Sequence, residues 1–288
     1  MNLGENRMDC VFFIGIYLIL GVIFNQSYKI ATKKMVKAGA LTILLEIIAS
    51  LSSLILIPFF EIKFPNNPMV YFFFGLSIIF YTITDRLNTT VRSGIEASTF
   101  NIIQQLSTVF MIFAGLLFLK EEFILSKFIG AILIIFSNTL IFYKKETQKI
   151  DKYVCLGIIS NIFYAIALFL DVNISNEFNL PFYVFVTLGV PSILIFIFER
   201  IKISELKKEI LDGNKKAIFI TAISWSFSII AQLRAYQLGD VSIVAPLCAL
   251  TVILNVILGY FTLKERDNII KKIVAALLII LGIVLIKI

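Results

Sequence analysis

The sequence contains no histidine. That removes imidazole metal sites, histidine-based catalytic triads and histidine proton switches from consideration. Its three cysteines, Cys10, Cys155 and Cys248, stand alone with no CxxC pair, so neither a disulfide framework nor a metal centre is expected. No glycine-rich phosphate loop is present, which argues against direct nucleotide drive. No cofactor is expected. Charge is also scarce. Charged residues make up 16% of the chain and hydrophobic residues 59%, against about 25% and about 45–50% in a soluble domain. Mean hydropathy is +0.95. Lipid is the solvent that such a composition fits.

The apolar residues fall in continuous runs. Alternating strand patterns are missing, so a lipid-facing barrel is excluded and helices remain. A hydrocarbon core about 30 Å thick takes about 20 residues of helix. Ten such spans are expected, at residues 10–31, 38–59, 69–92, 95–119, 124–143, 153–172, 180–198, 216–238, 241–263 and 269–287. The first is too long for a signal core and lacks an A-x-A site, so it reads as a retained helix. The polar segment 199–216 carries Ile201, Ile203, Leu206 and Ile210 at spacings that fit a short helix lying on the membrane surface. The excess of 26 basic over 19 acidic residues sits in the loops, which points to a membrane face and away from nucleic acid. The 28 phenylalanines fit AT-rich coding and lipid contact as well as they fit any aromatic binding box.

The chain repeats itself. "EASTFNIIQQLSTVFMIFAGLLFLKE" (96–121) aligns without a gap on "DVSIVAPLCALTVILNVILGYFTLKE" (240–265). Residues 10–143 form one five-span unit and 153–287 a second, joined by a linker at 144–152. Five is odd, so the second unit crosses the membrane in the opposite sense. The fold class expected is therefore all-α and integral to the membrane, with ten helices in two inverted repeats around a central cavity. Inverted repeats of this kind are typical of secondary transporters with a midplane site. Both copies end their fourth span in Leu-Lys-Glu. Glu121 and Glu265 precede a helix, where the exposed N–H groups favour a carboxylate, and they read as structural turn residues.

These features resemble the drug/metabolite transporter superfamily, in its EamA-like branch. The resemblance spans nearly all of 10–287 and rests mostly on "AYQLGDVSIVAPLCALTVILNVILGYFTLKER" (235–266). Tyr236, Gly239, Ser242, Leu263 and Glu265 match the family pattern. Lys264, like Lys120 in the first copy, stands where the family has glycine. Thr108 and Val252 stand where it tends to have proline, and Glu46 stands where it often has arginine. The resemblance implies a multi-pass plasma-membrane carrier of a small solute, exporting it by alternating access against protons or a counter-substrate, as a monomer or homodimer. A small polar or zwitterionic metabolite such as an amino acid is the expected cargo. A non-transporting membrane scaffold is the alternative. An intramembrane enzyme would need a nucleophile and base, and the sequence offers no such set.

Ionisable and amide groups inside spans mark the expected site, because each is costly in hydrocarbon. Glu46 lies near mid-depth and reads either as a cation or proton ligand or as the structural partner of an arginine. Asp85, Thr89 and Arg92 share one helix face. Arg86 and Arg234 lie toward opposite mouths, as gating charges or as snorkelling cations. Asn25 and Gln26, Asn101, Gln104 and Gln105, Asn161 and Tyr164, Trp225 and Gln232, and Asn255 add polar groups, for the cavity or for interhelical hydrogen bonds. Lys and Arg divide 20 to 6 between the two sides. The positive-inside rule then places both termini outside, whereas ten-span relatives carry both inside.

Overall fold

The computed structural model describes residues 3–118, 125–142 and 151–287. Among these, every regular element is helical. In chain order they are α1 (Leu3–Lys33), α2 (Ala38–Ser53, continued by a 3₁₀ segment Leu54–Phe59), α3 (Pro68–Gly94), α4 (Ala97–Gln104), α5 (Leu106–Phe118), α6 (Leu125–Phe142), α7 (Lys152–Ile174), α8 (Leu180–Phe198), α9 (Ile203–Asp212), α10 (Lys215–Leu238), α11 (Val241–Cys248), α12 (Thr251–Leu258, continued by a π turn Gly259–Leu263) and α13 (Ile269–Lys287). Among the described residues, six helices are long and apolar enough to cross a membrane: α1, α2 with its 3₁₀ end, α3, α7, α8 and α10.

Helix starts are chemically marked. Asn67 accepts from the Met69 amide with Pro68 as first helical residue, Asp151 accepts from Tyr153, and Asn214 accepts from Ala217. Each satisfies an N–H left over at a helix start, and proline costs nothing there. Asn179 caps α8 through Phe182. It is nearly fully buried, and its Nδ2 reaches the carbonyls of Phe60 and Glu61 at 3.2 and 3.1 Å. One side chain thereby ties the α2–α3 loop to the start of α8.

The polar segment after α8 is helical, as its spacing predicts. Glu209 on α9 accepts from the Val36 and Lys37 amides at 2.8 and 2.9 Å, and Lys37 pairs with Glu205. Burial raises the Glu209 carboxyl above its ordinary value. These bonds fasten α9 over the start of α2.

Packing repeats across the halves. Exchanging α1 with α7, α2 with α8, α3 with α10, α4–α5 with α11–α12 and α6 with α13 preserves the principal contacts. α1 packs on α10 as α7 packs on α3, α12 packs on α1 as α5 packs on α7, and α2–α8 and α6–α13 are self-paired. The spans expected as single helices at 95–119 and 241–263 are each interrupted. α4 stops at Gln104 and α5 starts at Leu106; α11 stops at Cys248 and α12 starts at Thr251. Gln105 and Ala249 occupy the same position of the sequence repeat.

Candidate functional site: a charged cavity at two interrupted helices

The interruptions share one chemistry. At Gln105 the backbone tightens to a three-residue hydrogen bond onto Ile102, and at Leu250 onto Leu247. Carbonyls released from the regular ladder must find other donors. Ser107 Oγ donates to the Gln104 carbonyl at 2.7 Å, and Thr251 Oγ1 donates to the Cys248 carbonyl at 2.9 Å. Ser107 and Thr251 are repeat equivalents, as are Gln104 and Cys248. Paired interruptions at matching positions of two repeats are where irregular backbone is tolerated at membrane depth, because it lines a cavity.

Such a cavity is present, with a volume of about 100 Å³. Gln104, Gln105, Ser107 and Thr108 line it from the first interruption, and Cys248, Ala249 and Thr251 from the second. The α1 face adds Tyr17, Asn25 and Tyr28; α3 adds Tyr81, Asp85, Asn88 and Arg92; α7 adds Tyr164 and Asp171; α10 adds Trp225, Gln232 and Tyr236.

Arg92 is the cationic wall. It is 1% exposed, and its guanidinium carbon lies 3.9 Å from the Phe100 ring centre, 4.7 Å from Tyr28 and 5.1 Å from Phe24. Cation–π attraction strengthens once water is removed, to about 2 kcal/mol. Nη2 donates to Asn25 Oδ1 at 2.7 Å, while Nε and Nη1 have no partner. Lys29 Nζ fixes the same end of α3 through the carbonyls of Arg92 and Ile95.

Asp171 is an anionic wall of another kind. Tyr183 and Tyr81 donate to its two oxygens at 2.5 and 2.8 Å. Asp85 also lines the cavity, and its Oδ2 is buried without a donor. Trp225 stacks on Phe24 with ring centres 5.5 Å apart.

Of the residues singled out in the sequence, Asn25, Asp85, Gln104, Gln105, Tyr164, Trp225 and Gln232 meet at the cavity. Asn101 does not. It hydrogen-bonds Asn255, which in turn accepts from Gln26, and Gln26 accepts from Thr262. That chain joins α1, α4 and α12, so the interhelical reading applies to it. Asn161 is also absent from the lining. Arg86 pairs with Glu199 and Thr90, and Arg234 donates to Gln237. Neither arginine lines the cavity. Glu46, expected either as a cation or proton ligand or as an arginine's partner, is fully buried outside the lining, and neither of its oxygens has a hydrogen-bond partner.

Glu265 is corrected in its partner. It does not serve the helix that follows it. Oε1 accepts from the Ala97 amide at 2.7 Å, and Oε2 accepts from the Ser98 amide at 3.0 Å and the Ser98 hydroxyl. It therefore caps α4 in the opposite half, where Glu96, the residue before the helix, forms no side-chain cap. Glu96 instead pairs with Lys272. Gly259 leaves room for the arrangement, since a Cβ there would stand 2.9 Å from Glu265 Oε2. The preceding Lys264 has φ +57°, the left-handed region that favours glycine. Glu121 lies outside the described residues.

Asp171 was missed because it falls at the end of a predicted span, where a carboxylate reads as interfacial. Tyr81 and Tyr28 were missed because an aromatic in a phenylalanine-rich helix gives no signal of its own. The sequence puts Arg92 on the face of Asp85 but gives no sign that it lines the cavity.

A two-half helical membrane protein with a charged, aromatic-walled cavity at paired helix interruptions belongs to the class of small-solute carriers. The EamA-like transporter family model matches residues 12–143 and again 151–288, and the chain belongs to that family. A solved crystal structure shares the fold, with a TM-score of 0.64 and 12% sequence identity over 98% of this chain and 96% of the other. Among curated proteins, no sequence matches this chain.

Proposed function

We propose that this chain is a secondary-active carrier that exports a small polar or zwitterionic metabolite, such as an amino acid, across the plasma membrane. Ten spans in two inverted sets of five would alternate access to the cavity. The observation that carries the proposal is the wall chemistry. A guanidinium with two free nitrogens and two carboxylates line one cavity. A solute bearing both charges would meet a partner for each, and apolar surface would stack on Trp225 and the tyrosines. Free donors and acceptors of both signs reject an uncharged analogue more strongly than an apolar pocket would.

Thermal denaturation of the purified protein against amino acids, polyamines, quaternary amines and nucleosides tests the class. A true ligand at 100 times its dissociation constant stabilises by about 2.7 kcal/mol. Amino acids are expected to raise the midpoint. Stabilisation by polyamines alone would overturn the zwitterion reading.

The 20-to-6 division of basic residues supports termini outside the cytoplasm. A reporter fused after Ile288 and active only in the cytoplasm is expected to stay silent. A signal there would restore the orientation typical of ten-span relatives.

A further inference from the structure

Glu46 is 0% exposed, and both of its carboxylate oxygens lack a hydrogen-bond donor. Asp85, across the α2–α3 contact, has Oδ2 buried and equally without a donor, and the two carboxyl groups interact electrostatically. Three partnerless oxygens on two neighbouring acids set this pair apart from Asp171, whose oxygens are both met by phenols.

The surroundings supply little positive charge. On α3, Arg92 acts on Asp85 but makes no hydrogen bond to it; its one bonded nitrogen goes to Asn25. On α1, the Tyr28 hydroxyl is engaged with Thr89, which also bonds Thr42 one turn before Glu46. α8 carries no charged residue, and α10 carries only Lys215 and Lys216 in its first turn and Arg234 before its last turn. On α9, Glu205 pairs with Lys37, and Glu209 Oε2 accepts from the Val36 and Lys37 amides while its Oε1 is buried without a donor; Lys207, Lys208 and Asp212 complete the charges of that helix. The 3₁₀ segment after α2 is uncharged.

Two ionised carboxylates with three buried oxygens lacking donors are not held side by side in such a place, because an unpaired buried charge is costly and the group takes up a proton instead. We infer that Glu46 and Asp85 form a proton-holding pair, a shared ion site one layer behind the solute cavity. Asp85 is its open end, because it alone of the two lines the cavity. A proton passes between the pair and cavity water through Asp85, with no other bond made or broken. Glu46 is the inner member that retains the proton while Asp85 faces Arg92. A solute ammonium pairing with Asp85 would displace the proton into the cavity, which gives the carrier an exchange ion. Only that last use rests on the carrier reading.

Infrared spectroscopy of the purified protein reads the proton directly, whatever the solute. A protonated-carboxyl band is expected near neutral pH, and it shifts down in D₂O. Glu46→Gln weakens that band, because Asp85 then faces Arg92 alone and ionises. Asp85→Asn retains it, because Glu46 is left buried without a counter-charge. Equal carboxyl absorption in wild type and Glu46→Gln overturns the proposal. So does a band that sodium abolishes at fixed pH, which would make the pair a metal-cation site. Should Glu46→Gln not fold, the wild-type D₂O shift and the Asp85→Asn spectrum still decide it. Absence of the band in both sinks the proton site and leaves the transport reading standing.

Discussion

Replacing Arg92 by glutamine will weaken binding of a solute carboxylate by about 10- to 100-fold while leaving the fold intact. The loss follows from hydrogen bonds to a charged group, worth about 1.5–3 kcal/mol. The intact fold follows from how the guanidinium is held in the cavity wall. Nε and Nη1 have no partner there, so the charge is held at a cost that glutamine removes. Binding and stability should therefore separate, with affinity falling far more than the denaturation midpoint, since loss of the ring contacts is offset by removal of an incompletely bonded charge. Arg92→Lys will not restore affinity. The site stacks a planar cation against Phe100 at 3.9 Å, and a compact ammonium cannot keep that contact while presenting two parallel donors. Titration calorimetry with the amino acid that most stabilises the wild type checks both variants. Wild-type affinity in Arg92→Gln would exclude the guanidinium as the anion-binding wall.

Much of this architecture is written in the composition and the repeat. The gapless alignment of 96–121 on 240–265 predicts that the two halves share structure, and the interruptions at Gln105 and Ala249 fall at one repeat position. The interruptions themselves were not legible. Neither position carries proline or glycine, and the signal is a hydroxyl two residues on, at Ser107 and Thr251, which is common in helices for other reasons. Amides were legible as a set but not by role. Gln104 and Gln105 face the cavity whereas Asn101, one turn away, is spent on Asn255. Which face a helix turns to its neighbours is decided by packing across the whole bundle, and spacing within one helix cannot supply it.

The Leu-Lys-Glu punctuation shows the same division between pattern and partner, and its energetic consequence is large. Local sequence places Glu265 before α13, yet its carboxylate accepts three hydrogen bonds at the start of α4. The first N–H groups of a helix have no partner within it, and those of Ala97 and Ser98 are buried. Glu265→Ala leaves both amides without an acceptor, at about 1–3 kcal/mol each. Glu265→Gln keeps one carbonyl oxygen, turns an NH₂ toward donors and gives up the charge that favours a helix start, so a smaller loss is expected. Denaturation midpoints should fall in the order wild type, Gln, Ala, with solute affinity unchanged because Glu265 does not line the cavity. Glu121 holds the aligned position of the first half, and the repeat predicts the same ordering for Glu121→Gln and Glu121→Ala. The contact joins α4, which borders the first interruption, to the loop after α12, which borders the second. A carboxylate that ties one half to the other is positioned to fix how the halves meet on one side of the cavity. A large loss of affinity in Glu265→Gln at wild-type stability would mean that the residue serves the solute and not the frame.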